Sequence, residues 1–224
     1  MRHIQQPRAL VTREKIIRAA GGLFALKGYH NTTLEEVRRS AEVSTGAFFH
    51  HFAGKEDLGF AVLKRHMEKR RQEIDRLEQE IPLAALADPL ARLFRRLDAV
   101  ERMIANRKLL AGGCVIGNLS ASLSDTHEAF RKRLAECFEE MALEFQPYLE
   151  QVLQQSAQER LQLNMNARAR VDSFPARPDA AELARHMVAV IQGTILLART
   201  YRDPHLLSAN FENLKQHLKH SLQP

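Results

Sequence analysis

Residues 43–58 read Val-Ser-Thr-Gly-Ala-Phe-Phe-His-His-Phe-Ala-Gly-Lys-Glu-Asp-Leu. Ser44 has the hydroxyl that caps a helix start, because it can accept from a free N–H of the first turn. Ala47, Phe48 and Phe49 follow as the apolar part of a short helix over about Thr45–His51. Phe48 and Phe52 lie four residues apart, on one face, and anchor that helix to a small core. Gly54 then gives way to Lys55-Glu56-Asp57, where acids in a first turn suit the positive end of a helix dipole.

Upstream, Thr33 is followed three residues later by Glu36, which is a capping box. It starts a helix whose face is Leu34, Val37 and Ala41. Before it, Ile16, Ala20, Leu23 and Phe24 recur at helical spacing from about Thr12, and Gly28 closes that helix. Residues 1–11 read as a loose basic arm. Two short helices joined by a three- to four-residue turn, inside a three-helix unit, outline a helix-turn-helix.

The residue types suit a polyanion. Helix starts at Thr33, Ser44 and Lys55 present free N–H groups to phosphate. Thr33, Ser44 and Thr45 add hydroxyls, and Gly46 leaves room for a close backbone approach. His50 and His51 can donate to phosphates or base edges. The charge agrees: of a net +6, residues 1–55 carry +5, from nine Lys and Arg against four acids. A basic module on a near-neutral body points to nucleic acid as the partner of the module.

Residues 12–63 resemble the DNA-binding domain of the tetracycline-repressor (TetR) family, most densely over Val43–Leu58. The shared order is a cap, a small residue, an aromatic pair, a closing Phe, then Lys-Glu-x-Leu. The family often has Gly at the turn position held here by Glu42, Lys at Thr45, Tyr at Phe49 and a polar cap at Gly54. Fewer cationic phosphate contacts imply a shallower salt dependence of binding. The resemblance implies an all-α homodimer: an N-terminal helix-turn-helix domain, residues 1–55, and a larger C-terminal helical domain, 56–224, for effector binding and dimerisation. It implies a repressor released from a palindromic operator by a small molecule. The DNA-contact set is Thr33, Ser44, Thr45, Gly46, Phe49, His50, His51 and Lys55.

The rest of the chain reads as helix, with no strand alternation. One helix runs to about Glu80, where Ile81-Pro82 ends it. Asp88-Pro89 caps another, striped by Leu90, Leu93, Phe94, Leu97, Val100 and Ile104. Gly112–Gly117 interrupts. Ser124-Asp125 caps a single long helix carrying Phe130, Leu134, Cys137, Met141, Phe145, Tyr148 and Val152. Residues 163–178, with Pro175 and Pro178, read as a loop. Asp179 opens a helix to about Thr200, and a last one covers about Leu206–Leu218.

Phe94, Met103, Cys114, Phe138, Met141 and Phe145 are the expected effector-pocket residues. The helix after Asp179 is apolar on more than one side, so it must be buried twice. Leu183, Met187, Val190 and Ile191, with Phe211 and Leu214 beside them, are expected at the dimer interface. GGCVIGNL, residues 112–119, resembles a subgroup of the family that includes electrophile and aldehyde sensors. That offers an alternative reading, a thiol-based sensor acting through Cys114. A further alternative is a dimeric DNA-binding protein without small-molecule control.

Other classes find no support. The histidines make no metal-spaced set, and there is no phosphate loop or nucleophile elbow, so neither enzyme chemistry nor a cofactor or metal is expected. The apolar run Met187–Ala198 is interrupted by Gln192, Gly193 and Thr194 and is short of a membrane span. Two cysteines make no disulfide framework and no signal peptide is visible, which together point to the cytoplasm.

Overall fold

The computed structural model describes residues 5–82, 88–106, 112–167 and 179–222. Among them the chain forms ten helices and no strand: α1 (Gln5–Lys27), α2 (Leu34–Ala41), α3 (Thr45–His51), α4 (Lys55–Glu80), α5 (Pro89–Asn106), α6 (Val115–Leu123), α7 (Glu128–Leu143), α8 (Gln146–Ala167), α9 (Ala180–Tyr201) and α10 (His205–Leu222).

The starts of α2, α3, α5 and α9 fall where their caps place them. Thr33 and Ser44 accept from Glu36 and Ala47 N–H groups, each at 3.2 Å. The Asp88 carboxylate accepts from Leu90 N–H at 2.9 Å, and that of Asp179 from Ala181 N–H.

Four expectations are corrected. Helix α1 begins at Gln5, so the stretch read as a loose arm is helical over 5–11. The interruption at 112–117 ends early, because α6 already starts at Val115 behind Cys114. The single helix expected after Ser124-Asp125 is two, α7 and α8. Pro147 explains the break: it has no N–H for the Leu143 carbonyl, and its ring would collide with that turn. The chain instead tightens, Phe145 N–H donating to Ala142 O at 2.9 Å. The loop expected from 163 is helical backbone as far as Ala167. The remainder of that loop, with Pro175 and Pro178, lies outside the described residues, as do residues 1–4 of the arm.

The chain packs into two compact units, Met1–Gln72 with Gly112–Cys137, and Glu73–Ala111 with Phe138–Pro224. The first is built on Ile16, Ile17 and Phe24 of α1, Val37 of α2, Phe48 and Phe52 around α3, and Leu58 and Leu63 of α4. Ile116 and Leu119 of α6 and Phe130 and Leu134 of α7 complete it. Burying such side chains contributes about 1.5–3 kcal/mol each before the entropy cost of ordering them. Gly59 lets α4 and α7 approach, its Cα side facing the Phe130 ring.

The second unit packs α5 on α8, α9 on α8 and α10, and α10 on α5. Its core is Leu93, Leu97 and Val100, Met141, Phe145 and Leu149, Met187, Ile191 and Ile195, and Phe211 and Leu218. One ionic group is built into it. Arg96, 6% exposed, donates to Asp75 at 2.6 Å, to Glu78 at 2.8 Å and to Glu144 at 3.3 Å. Tyr148 donates to the other Glu78 oxygen at 3.4 Å. Among the described residues, α9 alone has the length and apolarity to cross a membrane; its Leu183, Met187, Ile191 and Ile195 are buried in this unit.

Candidate nucleic-acid interface

The site grows from two caps. The Thr33 hydroxyl accepts from Glu36 N–H while the Glu36 carboxylate accepts from Thr33 N–H at 2.9 Å, so the start of α2 is closed reciprocally. Lys27 donates to the same carboxylate. That bond first, then the Thr33 N–H, holds the Glu36 carboxyl down at about 2. At its other end α2 stops at Glu42, which stands in the left-handed region at φ 56°, its N–H directed at the carbonyls of Arg38 and Arg39. This is the position where the family often carries Gly.

Ser44 then starts α3. Phe48 and Phe52 are buried at 0% and 1% exposure, their rings 5.8 Å apart, and they fix the roll of the helix. Fixing those two leaves Phe49, 54% exposed, and His50 on the open side. Thr33, Ser44, Thr45 and Gly46 are exposed with them, and His51 is half-buried. A β-carbon added at Gly46 would meet nothing within 4 Å, so its space is open. The His50 and His51 rings are 5.0 Å apart. Burial first, then His50 and Arg13, pushes His51 below the usual imidazole value of 6.5.

Two side chains depart from the expected picture. The Thr45 hydroxyl accepts from Arg38, tying α2 to α3. Lys55 has its ammonium 4.4 Å from the centre of the Tyr29 ring, and it donates to His30 O at 3.4 Å. Loss of water lowers the Lys55 pKa, and burial pushes Tyr29 up to about 12. The backbone start of α4 remains a helix N-terminus, but the Lys55 side chain is engaged within the unit. Sequence reasoning missed Arg13, whose guanidinium sits 5.1 Å from the centre of the Phe52 ring. It also missed Arg38. Both are visible in sequence only as members of the basic count, since neither pairing is local.

Residues 112–137 share this unit. Tyr29, between α1 and α2, meets Phe130 of α7 edge-on at 5.1 Å and His127 at 6.1 Å. His30 and His127 rings are 5.6 Å apart. Cys114 is the N-cap residue of α6, half-buried, and its thiol makes no cap hydrogen bond.

The chain matches the family model described as bacterial regulatory proteins, tetR family, over residues 16–62. It matches the tetracyclin repressor-like C-terminal domain over residues 89–214. The chain belongs to the TetR family. It is a helix-turn-helix transcriptional regulator.

An uncharacterised relative, the HTH-type transcriptional regulator in the lacX 3' region of Lactococcus lactis, is 28% identical over 91% of each chain. The transcriptional repressor NemR of Escherichia coli is 29% identical over 55% of this chain and 59% of its own. The NemR crystal structure, described as a reduced form, superposes with TM-score 0.69 at 23% identity, covering 92% and 96% of the two chains. A TetR regulator of Chloroflexus aurantiacus gives TM-score 0.76 at 23% identity over 96% and 98%. These structural likenesses carry the TetR fold.

The remaining expected residues fall in two places. Phe94 and Phe138 are half-buried, and Met103, Met141 and Phe145 buried, all in the second unit; Cys114 is in the first. A cleft of about 500 Å³ in the second unit is lined by Asp88, Leu90, Val152, Gln155, Ser156, Glu159 and Leu222, and by none of those six. Leu183, Met187, Ile191, Phe211 and Leu214 are buried within the chain itself, while Val190 is partly open. The large apolar side chains that α9 exposes are Leu196, Leu197 and Tyr201. Among the described residues no group of three or more His, Cys, Asp or Glu is placed to hold a metal ion.

Proposed function

We propose that this chain acts in the cytoplasm as a homodimeric repressor that binds a palindromic operator through α3 and is released by a small-molecule effector. The observation that carries the reading is the roll of α3. Burial of Phe48 and Phe52 turns Phe49, His50 and the Ser44–Gly46 start outward together. A short capped helix with an open, side-chain-free position at Gly46 suits entry into a major groove. Thr33, Ser44, Thr45, Gly46, Phe49, His50 and His51 form the contact set, and Lys55 contributes through its backbone. Residues 1–55 read DNA and 56–224 take the effector and dimerise. The contacts of Tyr29 with His127 and Phe130 support a route by which the later residues act on the reading helices.

The exposed Leu196, Leu197 and Tyr201 support a self-association face on α9, since apolar patches of this kind mark interfaces. Val190 joins it. The test is selection of bound duplexes from a random pool with the purified chain. A palindromic site supports a sequence-specific dimer; no enriched site overturns the repressor reading.

A second reading rests on Cys114, whose thiol is uncommitted at the cap of α6. Modification of that thiol would release DNA in place of a pocket ligand. Under this reading Cys114→Ser binds the selected duplex but ignores thiol-reactive electrophiles. Equal release of the variant and the wild type removes the thiol reading and leaves the pocket.

A further inference from the structure

We propose that Arg13 of α1 is a phosphate-binding residue of the DNA interface, held in place for that contact by the face of the Phe52 ring. The proposal rests on the reading of α3 as the DNA-recognition helix. Three observations point to it. The guanidinium lies 5.1 Å from the ring centre of Phe52, a side chain 1% exposed whose N–H closes α3 onto Phe48 O. The ring is therefore fixed, and a guanidinium stacked on it keeps its N–H edges free for a planar anion.

Arg13 also has no carboxylate partner among the described residues, whereas three nearby cations do. Lys27 is paired with Glu36, Arg39 with Glu35 and Arg65 with Glu14. Arg38 donates to Thr45. Lys55 is turned over Tyr29. An unpaired, pre-oriented arginine at the end of the exposed helix supplies the cation that the Lys55 side chain does not. Finally, Arg13 stands near enough to His51 to disfavour its protonation, which places it beside the expected contact set. The ligand class is a phosphodiester oxygen of duplex DNA, with bidentate N–H donation and no base reading.

The test is the salt dependence of binding to the selected duplex, read by fluorescence anisotropy with the full chain. Arg13→Met keeps a stem of similar length over Phe52 but removes the charge. The slope of log K against log salt should become shallower by about 0.9 for each Arg13 that touches a phosphate. Arg13→Lys should keep the wild-type slope. An Arg13→Met slope equal to wild type, whatever the change in affinity, overturns the proposal and leaves Arg13 a packing residue. Should Arg13→Met not fold, phenylglyoxal modification of the wild-type chain carries the same test. Operator DNA should protect Arg13, and equal modification with and without it overturns the assignment. A wild-type chain that binds no duplex overturns the DNA reading itself, and this proposal with it.

Discussion

Gly59 and Phe130 are in direct opposition: a β-carbon built on Gly59 falls 2.5 Å from Cζ of the ring. Phe130 is fully buried and stacks on Phe60 at 4.7 Å, so the ring has no free direction in which to move. α4 carries glycine at that point because any side chain would push α7 away from it. Gly59→Ala should destabilise the first unit by about 1–3 kcal/mol, the usual range for forced overpacking. Urea unfolding followed by circular dichroism checks it. An unchanged midpoint would show that α7 shifts freely.

Glu42 holds a left-handed backbone that L-residues other than Asn and Asp adopt at a cost. Glu42→Gly should therefore raise stability, by about 0.5–1 kcal/mol once the greater freedom of glycine in the unfolded chain is counted. The midpoint of denaturation should rise with an unchanged denaturant slope. The substitution also removes a negative charge two residues before the Ser44 cap of α3, so affinity for DNA should rise as well.

The Glu36 carboxyl, at about 2 in the folded chain against 4.5 ordinarily, ties stability to acid. Its folded pKa is depressed. The stabilisation is therefore complete above about pH 4.5 and is lost as the pH falls from there toward about 2. Glu36→Gln should flatten that limb of the stability–pH curve while leaving the neutral plateau slightly lower. Thermal melts between pH 2 and pH 6 read this directly. A curve parallel to wild type would remove Glu36 from the acid response.

Arg96 answers two well-buried carboxylates, Glu78 at 15% and Glu144 at 7% exposure, together with the half-exposed Asp75. Arg96→Leu removes the guanidinium that Asp75, Glu78 and Glu144 share. Loss of one partner from a buried ionic set costs about 3–5 kcal/mol. The second unit should lose most of its stability, seen as early unfolding in calorimetry. A loss under about 1 kcal/mol would mean that the group is better hydrated than its burial implies.

Ser44→Ala should separate folding from recognition. The cap bond from Ala47 N–H is lost, at about 1 kcal/mol. The helix start that faces outward loses its hydroxyl at the same time. DNA affinity should fall about tenfold or more while the fold persists, checked by anisotropy beside a circular dichroism spectrum. Wild-type affinity would move the contact away from the start of α3.

The helices and most of their starts are legible in the residue order alone, because a cap is a local device. Thr33 with Glu36, Ser44, Asp88 before Pro89 and Asp179 each act within one turn, so three or four letters specify them. Local signals also fixed the roll of α3 through the Phe48–Phe52 spacing. Pro147 was equally legible, as a residue that cannot continue α7, but the apolar stripe running from Phe130 to Val152 masks it.

Which partners those helices meet depends on packing. Periodicity marks Leu183, Met187, Ile191, Phe211 and Leu214 as buried without saying whether another chain or their own unit covers them, and here their own unit does. It says nothing of Lys55 turning onto Tyr29 or Arg13 settling on Phe52, since each pair is separated by many residues and meets only after α1, α3 and α4 pack. Nor does it place 112–137 with the N-terminal helices, a pairing set by the fit of Phe130 into the gap at Gly59. Caps are written in neighbouring residues; the surroundings of a side chain depend on distant ones, brought close by burial of a shared core.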